Sequence, residues 1–259
     1  MRPILFEIHG IKIYGYGLMI ALGIITAIYI VERMIKDKNK KLSLSSDDIF
    51  TLSVYAVIGG VLGGKLLYII VEMKQFIQDP KEFINTLGSG FVVYGSILGG
   101  IAGAYIFAKR KKIKLLAITD LLAPGVAIAQ GFGRIGCFLA GCCYGKVTNS
   151  FLGVSFNFPF TPDQLPRYPT QVFSSIFDFA LGIFLLVYWI KYSSERSRGK
   201  VFSLYLIIIS IGRFLVEFIR DDPRGSVGPL STSQFLCIFS LAAGIILYIY
   251  SNRKKESAS

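Results

Sequence analysis

Apolar residues in this chain come in long blocks, and polar residues collect between the blocks instead of alternating with them. About 20 mostly apolar residues are needed for one helix to cross a bilayer's hydrocarbon core. Seven blocks approach that length, at roughly 13 to 32, 49 to 71, 91 to 108, 115 to 133, 171 to 190, 201 to 219 and 231 to 250. They predict an all-α polytopic membrane protein with about seven transmembrane helices. Pro124 and Gly125 interrupt the fourth block, which predicts a kinked or tilted helix there.

Composition agrees with that reading. Hydrophobic residues make up 53% of the 259-residue chain, charged residues 17%, and the mean hydropathy is +0.58. A soluble surface is not built from such a mixture.

A net charge of +12 invites a nucleic-acid partner until the basic residues are sorted by loop. Arg33 to Lys41 holds five, Lys109 to Lys114 five, Lys191 to Lys200 four and Arg253 to Lys255 three of the 28 lysines and arginines. These crowded loops alternate with sparse ones, so membrane orientation accounts for the charge and nucleic acid is not needed. The N-terminus is expected outside and the C-terminus in the cytoplasm. No cleavable leader is expected, because the first apolar block is too long for a signal-peptide core.

No repeat, low-complexity tract or linker divides the chain, so a single integral-membrane domain, 1–259, is expected. Its longest stretch outside the apolar blocks is about 133–169. Phe151 to Phe158 alternates apolar and polar side chains there, predicting a short strand, and Pro159, Pro162, Pro166 and Pro169 then break regular structure. A small extracytoplasmic β or irregular element follows. Gly59, Gly60, Gly63 and Gly64 form overlapping GxxxG pairs, and Gly95, Gly99 and Gly103 continue the small-residue ladder on the third block, which predicts close helix packing.

Candidate chemistry concentrates in two places. GRIGCFLAGCCYGK, Gly133 to Lys146, reads as a turn carrying Arg134 and three of the four cysteines. GRFLVEFIRDDP puts Arg213, Glu217 and Arg220 at i, i+4 and i+7, one face of a helix. Charges within membrane segments mark ligand or substrate paths more often than structural pairs. Arg134, Arg167, Arg213 and Arg220 supply guanidiniums at the outer side, and each can hold a phosphate oxygen pair bidentately, so a phospholipid head group is the natural partner. Lys65 either snorkels outward or joins them.

Tyr14, Tyr16, Tyr68 and Tyr144 fit an interfacial aromatic belt, whereas Tyr94 heads a glycine-lined face where its hydroxyl can reach a ligand. The sole histidine, His9, has no acid, serine or cysteine spaced to form a triad with it. Cys137, Cys142 and Cys143 lack the C-x2-C spacing of structural zinc. They read either as small thiols filling a crowded turn or as a source of one disulfide, Cys137 with Cys142 or Cys143.

These motifs resemble the prolipoprotein diacylglyceryl transferase family over nearly the whole chain. The matching pieces are YGYGLM at Tyr14 to Met19, YGSILGG from Tyr94, GRIGCFLAGCCYGK, RYPTQ at Arg167 to Gln171, and GRFLVEFIRDDP. The resemblance implies a multi-pass enzyme of the bacterial inner membrane with no cofactor or metal. It would transfer the diacylglyceryl group of phosphatidylglycerol to the lipobox cysteine thiol of a prolipoprotein, making a thioether and releasing glycerol phosphate. It further implies that Arg134 and Arg213 bind and polarise the donor phosphate, that Glu217 and Arg220 organise that site, and that Tyr16 and Gly145 shape it. Many family members carry histidine where Tyr94 stands and asparagine where Cys137 stands, with an asparagine and an acidic residue near Ala140 and Cys142. Deprotonation of the acceptor thiol would then fall to Tyr94 or to the arginine field.

Three alternatives belong beside this one. A diverged relative would modify another lipid acceptor. An anion channel is discouraged because no polar set continues through the inner halves of the blocks, and a thiol oxidoreductase by the C-x4-C-C spacing.

Overall fold

A computed structural model describes residues 4–8, 11–36, 44–73, 77, 90–156, 165–192, 199–222 and 225–256. His9, the 157–158 end of the alternating segment, Pro159, Pro162 and Arg224 lie outside the described residues. Two strands open the chain, β1 (Ile4–Ile8) and β2 (Ile11–Tyr14), followed by α1 (Gly15–Ile35), α2 (Ser46–Val71), α3 (Val93–Arg110) and α4 (Leu115–Ala140). After them come β3 (Val154–Ser155), β4 (Pro166–Arg167), α5 (Thr170–Tyr192), α6 (Lys200–Val216), a 3-10 turn at Glu217–Ile219, β5 (Ser226–Val227), β6 (Leu230–Ser231) and α7 (Thr232–Glu256).

Six of the described helices, α1, α2, α4, α5, α6 and α7, are long and apolar enough to cross a membrane. The 18-residue α3 carries Lys109 and Arg110 in its last turn. The chain is thus mostly helical and polytopic. Pro124 lies inside α4.

Two compact units divide the chain, Met1–Lys41 with Thr119–Ser259, and Leu42–Ile118. In the first unit, polar groups share the interior with apolar ones, and many large apolar groups face outward. Asp120, Gln171, Ser174, Ser175, Asp178, Ser203, Ser210 and Glu217 are buried, while Ile25 is 62%, Ile176 63% and Ile246 68% exposed. Exposed apolar faces on long helices are the surface that lipid solvates.

Glycines let these helices approach. A Cβ at Gly182 of α5 would stand 2.4 Å from Ile128 Cγ1 of α4, and Gly212 of α6 faces the Phe177 ring of α5 at a comparable 2.3 Å. The Ser175 hydroxyl donates to Gly131 O across 2.9 Å, tying α5 to α4. The N-terminus of α6 leaves backbone donors without intrahelical acceptors. Asp120 of α4 takes two of them, accepting from Gly199 N at 2.6 Å and Phe202 N at 2.8 Å.

In the second unit α2 starts with a capping box, Ser45 with Asp48. Asp48 also pairs with Lys111 at 2.5 Å. The glycine ladder interlocks α2 and α3: a Cβ at Gly63 would lie 2.3 Å from Gly95 O, and one at Gly99 2.0 Å from Gly59 O. Lys65 turns to its own unit, its ammonium donating to Gly90 O at 2.6 Å beside the Phe91 ring. Tyr94 sits in the first turn of α3, 43% exposed.

Three features differ from the sequence expectation. Gly133 to Ala140 is helical, because α4 runs on past the end expected for it. Apolar Ile135, Phe138 and Leu139 continue its pattern, and Gly136 lets Tyr16 and Met19 of α1 pack close. The alternating segment yields only the two-residue strand β3, paired antiparallel with β4. Arg220 is not on the helix with Arg213: α6 ends at Val216, the 3-10 turn follows, and Arg220 is extended (φ −81°, ψ 153°). Arg220 is held in that extended state by its bridge to Gly145 and its bidentate pairing with Asp222.

Candidate active site

The loop after α4 is built by its glycines. Gly141 has φ +73°; its N–H donates to Phe138 O and the N–H of Cys142 to Cys137 O. This is a Schellman helix end, in which the residue beyond the left-handed position folds back on the last turn. Cys143 adopts φ +65°, uncommon for a residue with a Cβ. Its conformation is held from α5, where the Thr170 hydroxyl donates to Cys143 O and Gln171 Nε2 to Cys142 O, both at 2.6 Å.

Beyond the cysteines the loop runs as an extended ribbon between two others. Gly145 N donates to Tyr168 O at 2.9 Å, Lys146 N to Ile219 O at 2.8 Å, and Asp221 N to Tyr144 O at 3.2 Å. Gly145 and Arg220 form an antiparallel bridge. A Cβ at Gly145 would lie 2.8 Å from Ile219 O and from both Tyr168 Cβ and Tyr168 O, so only glycine fits. Phe156 anchors the base, fully buried against Phe138 and Tyr144. The ends of α4 and α6 and the start of α5 are thereby fixed together.

Arg134 and Arg213, from α4 and α6, both act on the buried carboxylate of Asp178 on α5, and their charges act on each other. Arg134 also acts on Tyr16, which is 45% exposed at the start of α1. Glu217 is 7% exposed and its charge reaches Arg213 and Arg220. Nη1 of Arg213 is buried and has no hydrogen-bond partner among the described residues. A buried guanidinium donor left in that state is costly, and an anion arriving in the site relieves the cost.

The other two arginines are already engaged. Arg220 holds Asp222 bidentately, Nε to Oδ1 at 3.1 Å and Nη2 to Oδ2 at 3.0 Å. Arg167, 7% exposed, pairs with Asp221 at 2.5 Å and lies over the Tyr144 ring. Of the four guanidiniums expected at the outer side, Arg134, Arg213 and Arg220 share one field, and Arg167 braces the loop ribbon.

All four cysteines are free thiols. The Cys143 thiol is held well below its ordinary range by hydrogen bonds from Cys137 and Cys142, with help from Arg220 and Arg134. The same sharing pushes Cys142 up.

Asp178 escaped the sequence reading. Its trace was one acid within the apolar run FSSIFDFALG, the type of residue that mid-membrane cost makes informative. The pairing of β1 with β2 was also missed, although Ile4, Phe6 and Ile8, then Ile11 and Ile13, recur at alternate positions.

Arginines from α4, α6 and the turn after α6 that share one electrostatic field, in a polytopic helical protein, fit an enzyme or carrier of phosphate-bearing membrane substrates. Comparison with known proteins narrows that class. The family model for prolipoprotein diacylglyceryl transferase matches residues 3–250, and the chain belongs to that family. It is 51% identical over 257 residues to the phosphatidylglycerol–prolipoprotein diacylglyceryl transferase of Clostridium tetani, covering 99% of this chain and 100% of that one. It is 52% identical over 249 residues to phosphatidylglycerol–prolipoprotein diacylglyceryl transferase 2 of Clostridium perfringens, covering 96% and 94%. The Rickettsia bellii transferase of the same name is 31% identical, covering 96% and 95%.

Proposed function

We propose that this chain transfers the diacylglyceryl group of phosphatidylglycerol to the lipobox cysteine of a prolipoprotein, releasing glycerol phosphate. The observation that carries this reading is the buried Arg213 donor, which has no hydrogen-bond partner among the described residues and sits in a field shared with Arg134 and Asp178. The donor phosphate enters there as a bidentate guanidinium ligand. As the carbon–oxygen bond to phosphate breaks, charge grows on the departing oxygen. Guanidiniums aimed at it stabilise the transition state more than the ground state.

In this reading Glu217 and Arg220 set the orientation of Arg213, Gly145 keeps the floor open, Tyr16 walls the site, and Arg167 holds the ribbon that carries Gly145. The acceptor thiol, already a few per cent ionised near neutral pH, is helped to lose its proton by Tyr94 and by the arginine field. The chain works as one transferase domain in the bacterial inner membrane. In this reading seven spans, α3 included, put the N-terminus outside and the C-terminus in the cytoplasm, with the loop after α4, 141–169, on the extracytoplasmic side. Alternation of crowded and sparse basic loops supports that orientation.

Purified protein given labelled phosphatidylglycerol and a lipobox peptide should yield a thioether-linked product, and Arg134→Ala or Arg213→Ala should abolish it. Product formation that survives both substitutions would overturn the reading.

A further inference from the structure

Sequence spacing argued against a metal site in the cysteine turn, but the fold assembles what the spacing withheld. The Sγ atoms of Cys137, Cys142 and Cys143 all lie within 4.8 Å of one another. Backbone geometry is the cause. In a Schellman end the residues at the Cys137 and Cys142 positions meet side chain to side chain, usually as an apolar pair; here both are thiols. The left-handed Cys143 then brings the third sulfur back to them.

Four-coordinate zinc bonds thiolate sulfur at about 2.3 Å, which sets tetrahedral sulfurs about 3.8 Å apart. The trio's separations exceed that by at most about 1 Å, a gap that side-chain rotation can close. The backbone beneath is pinned by Thr170 and Gln171 on the Cys143 and Cys142 carbonyls. Among the described residues no fourth histidine, cysteine or carboxylate joins the group. Three protein ligands and an open fourth position are the pattern of catalytic zinc rather than structural zinc. Cys142 is exposed, whereas Cys137 and Cys143 are half-buried, so the trio is reachable from outside. A divalent ion with three thiolates carries one net negative charge, and Arg134 and Arg220 lie within electrostatic reach of these sulfurs to balance it.

We propose that Cys137, Cys142 and Cys143 bind a thiophilic divalent cation, zinc by its chemistry, whose open fourth position takes the sulfur of the acceptor cysteine. The proposal rests on the transferase reading above. On coordination the acceptor thiol gives its proton to water and binds as thiolate, because a metal-bound thiol is deprotonated outright. That sulfur then attacks the glyceryl carbon bearing the phosphate. The new carbon–sulfur bond forms as the carbon–oxygen bond breaks, the electron pair leaves with the phosphate oxygen as glycerol phosphate, and water returns to the metal. No oxidation occurs.

The test uses full-length protein in lipid nanodiscs. Loading with zinc should give one ion per chain by elemental analysis. Cobalt replacement should give thiolate-to-cobalt charge-transfer absorption with the intense visible bands of four-coordinate cobalt. Cys137→Ser and Cys143→Ser should each weaken metal binding at least tenfold. Adding lipobox peptide should change the cobalt spectrum, and the same peptide with serine for cysteine should not. Chelation should slow thioether formation at least tenfold, and zinc should restore it. If wild-type protein retains no stoichiometric metal, or works equally fast once stripped, the proposal falls while the transferase reading stands. A metal-loaded wild type that makes no thioether sinks the transferase reading instead. The chelation and peptide arms use wild-type protein, so they decide the matter even if the cysteine variants do not fold.

Discussion

The backbone of Gly145 pairs antiparallel with that of Arg220, so the loop leaving α4 and the chain leaving α6 are one small sheet. The glycine is required sterically, with Ile219 O and Tyr168 both 2.8 Å from where a Cβ would stand. Gly145→Ala should therefore displace the ribbon, costing about 1 to 3 kcal/mol of stability and at least tenfold in thioether formation. Thermal unfolding in detergent and the peptide assay together check this.

The buried carboxylate of Asp178 lies in the field of two arginines from different helices, Arg134 and Arg213. Replacing it by asparagine keeps the shape and removes the anion. Breaking a buried charge cluster in this way costs about 3 to 5 kcal/mol. Asp178→Asn should melt early, and added phosphatidylglycerol should raise its melting temperature more than that of the wild type, since the lipid phosphate restores the lost charge.

Lysine keeps the charge of arginine but not its planar fork. Arg134→Lys and Arg213→Lys should each lose about 1.5 to 3 kcal/mol of a charge-assisted hydrogen bond, roughly 10- to 150-fold in kcat/KM. If lysine serves as well as arginine at both positions, bidentate phosphate binding is not their role.

Tyr94→Phe removes one hydroxyl at the start of α3. Turnover with a lipobox peptide should fall about tenfold, less than a sole general base would cost, with little change in lipid affinity. Unaltered turnover removes Tyr94 from the mechanism.

Asp120 serves architecture. Asp120→Ala leaves the N–H groups of Gly199 and Phe202 without their acceptor and should destabilise the protein by about 1 to 2 kcal/mol, the upper range for a lost helix cap. Faster hydrogen exchange confined to the first turn of α6 would identify the cause.

The apolar blocks were legible because lipid leaves a helix few ways to vary, and each block became a helix. The glycine ladder of α2 and α3 was readable for the same reason. Arg134, Arg213 and Glu217 stood out because charge in such segments is rare. Asp178 was equally rare and was overlooked because it stands alone, with its arginine partners tens of residues away on other helices. Arg220 misled for the opposite reason: its i+7 spacing fits a helix, but the chain leaves α6 through a 3-10 turn and pairs Arg220 with Gly145, a long-range contact no local spacing announces. The sulfur trio was hidden because one left-handed glycine and one left-handed cysteine, not any spacing rule, bring it together.

Carbonyl oxygens occupy the places between α2 and α3 where side chains usually stand, Gly59 against Gly99 and Gly63 against Gly95. Neither helix has a smooth surface along which to slip, since advancing by one residue drives a bulky neighbour into the other's backbone. The pair is therefore geared rather than greased: whatever bends or tilts one rod during turnover must carry its mate along in step.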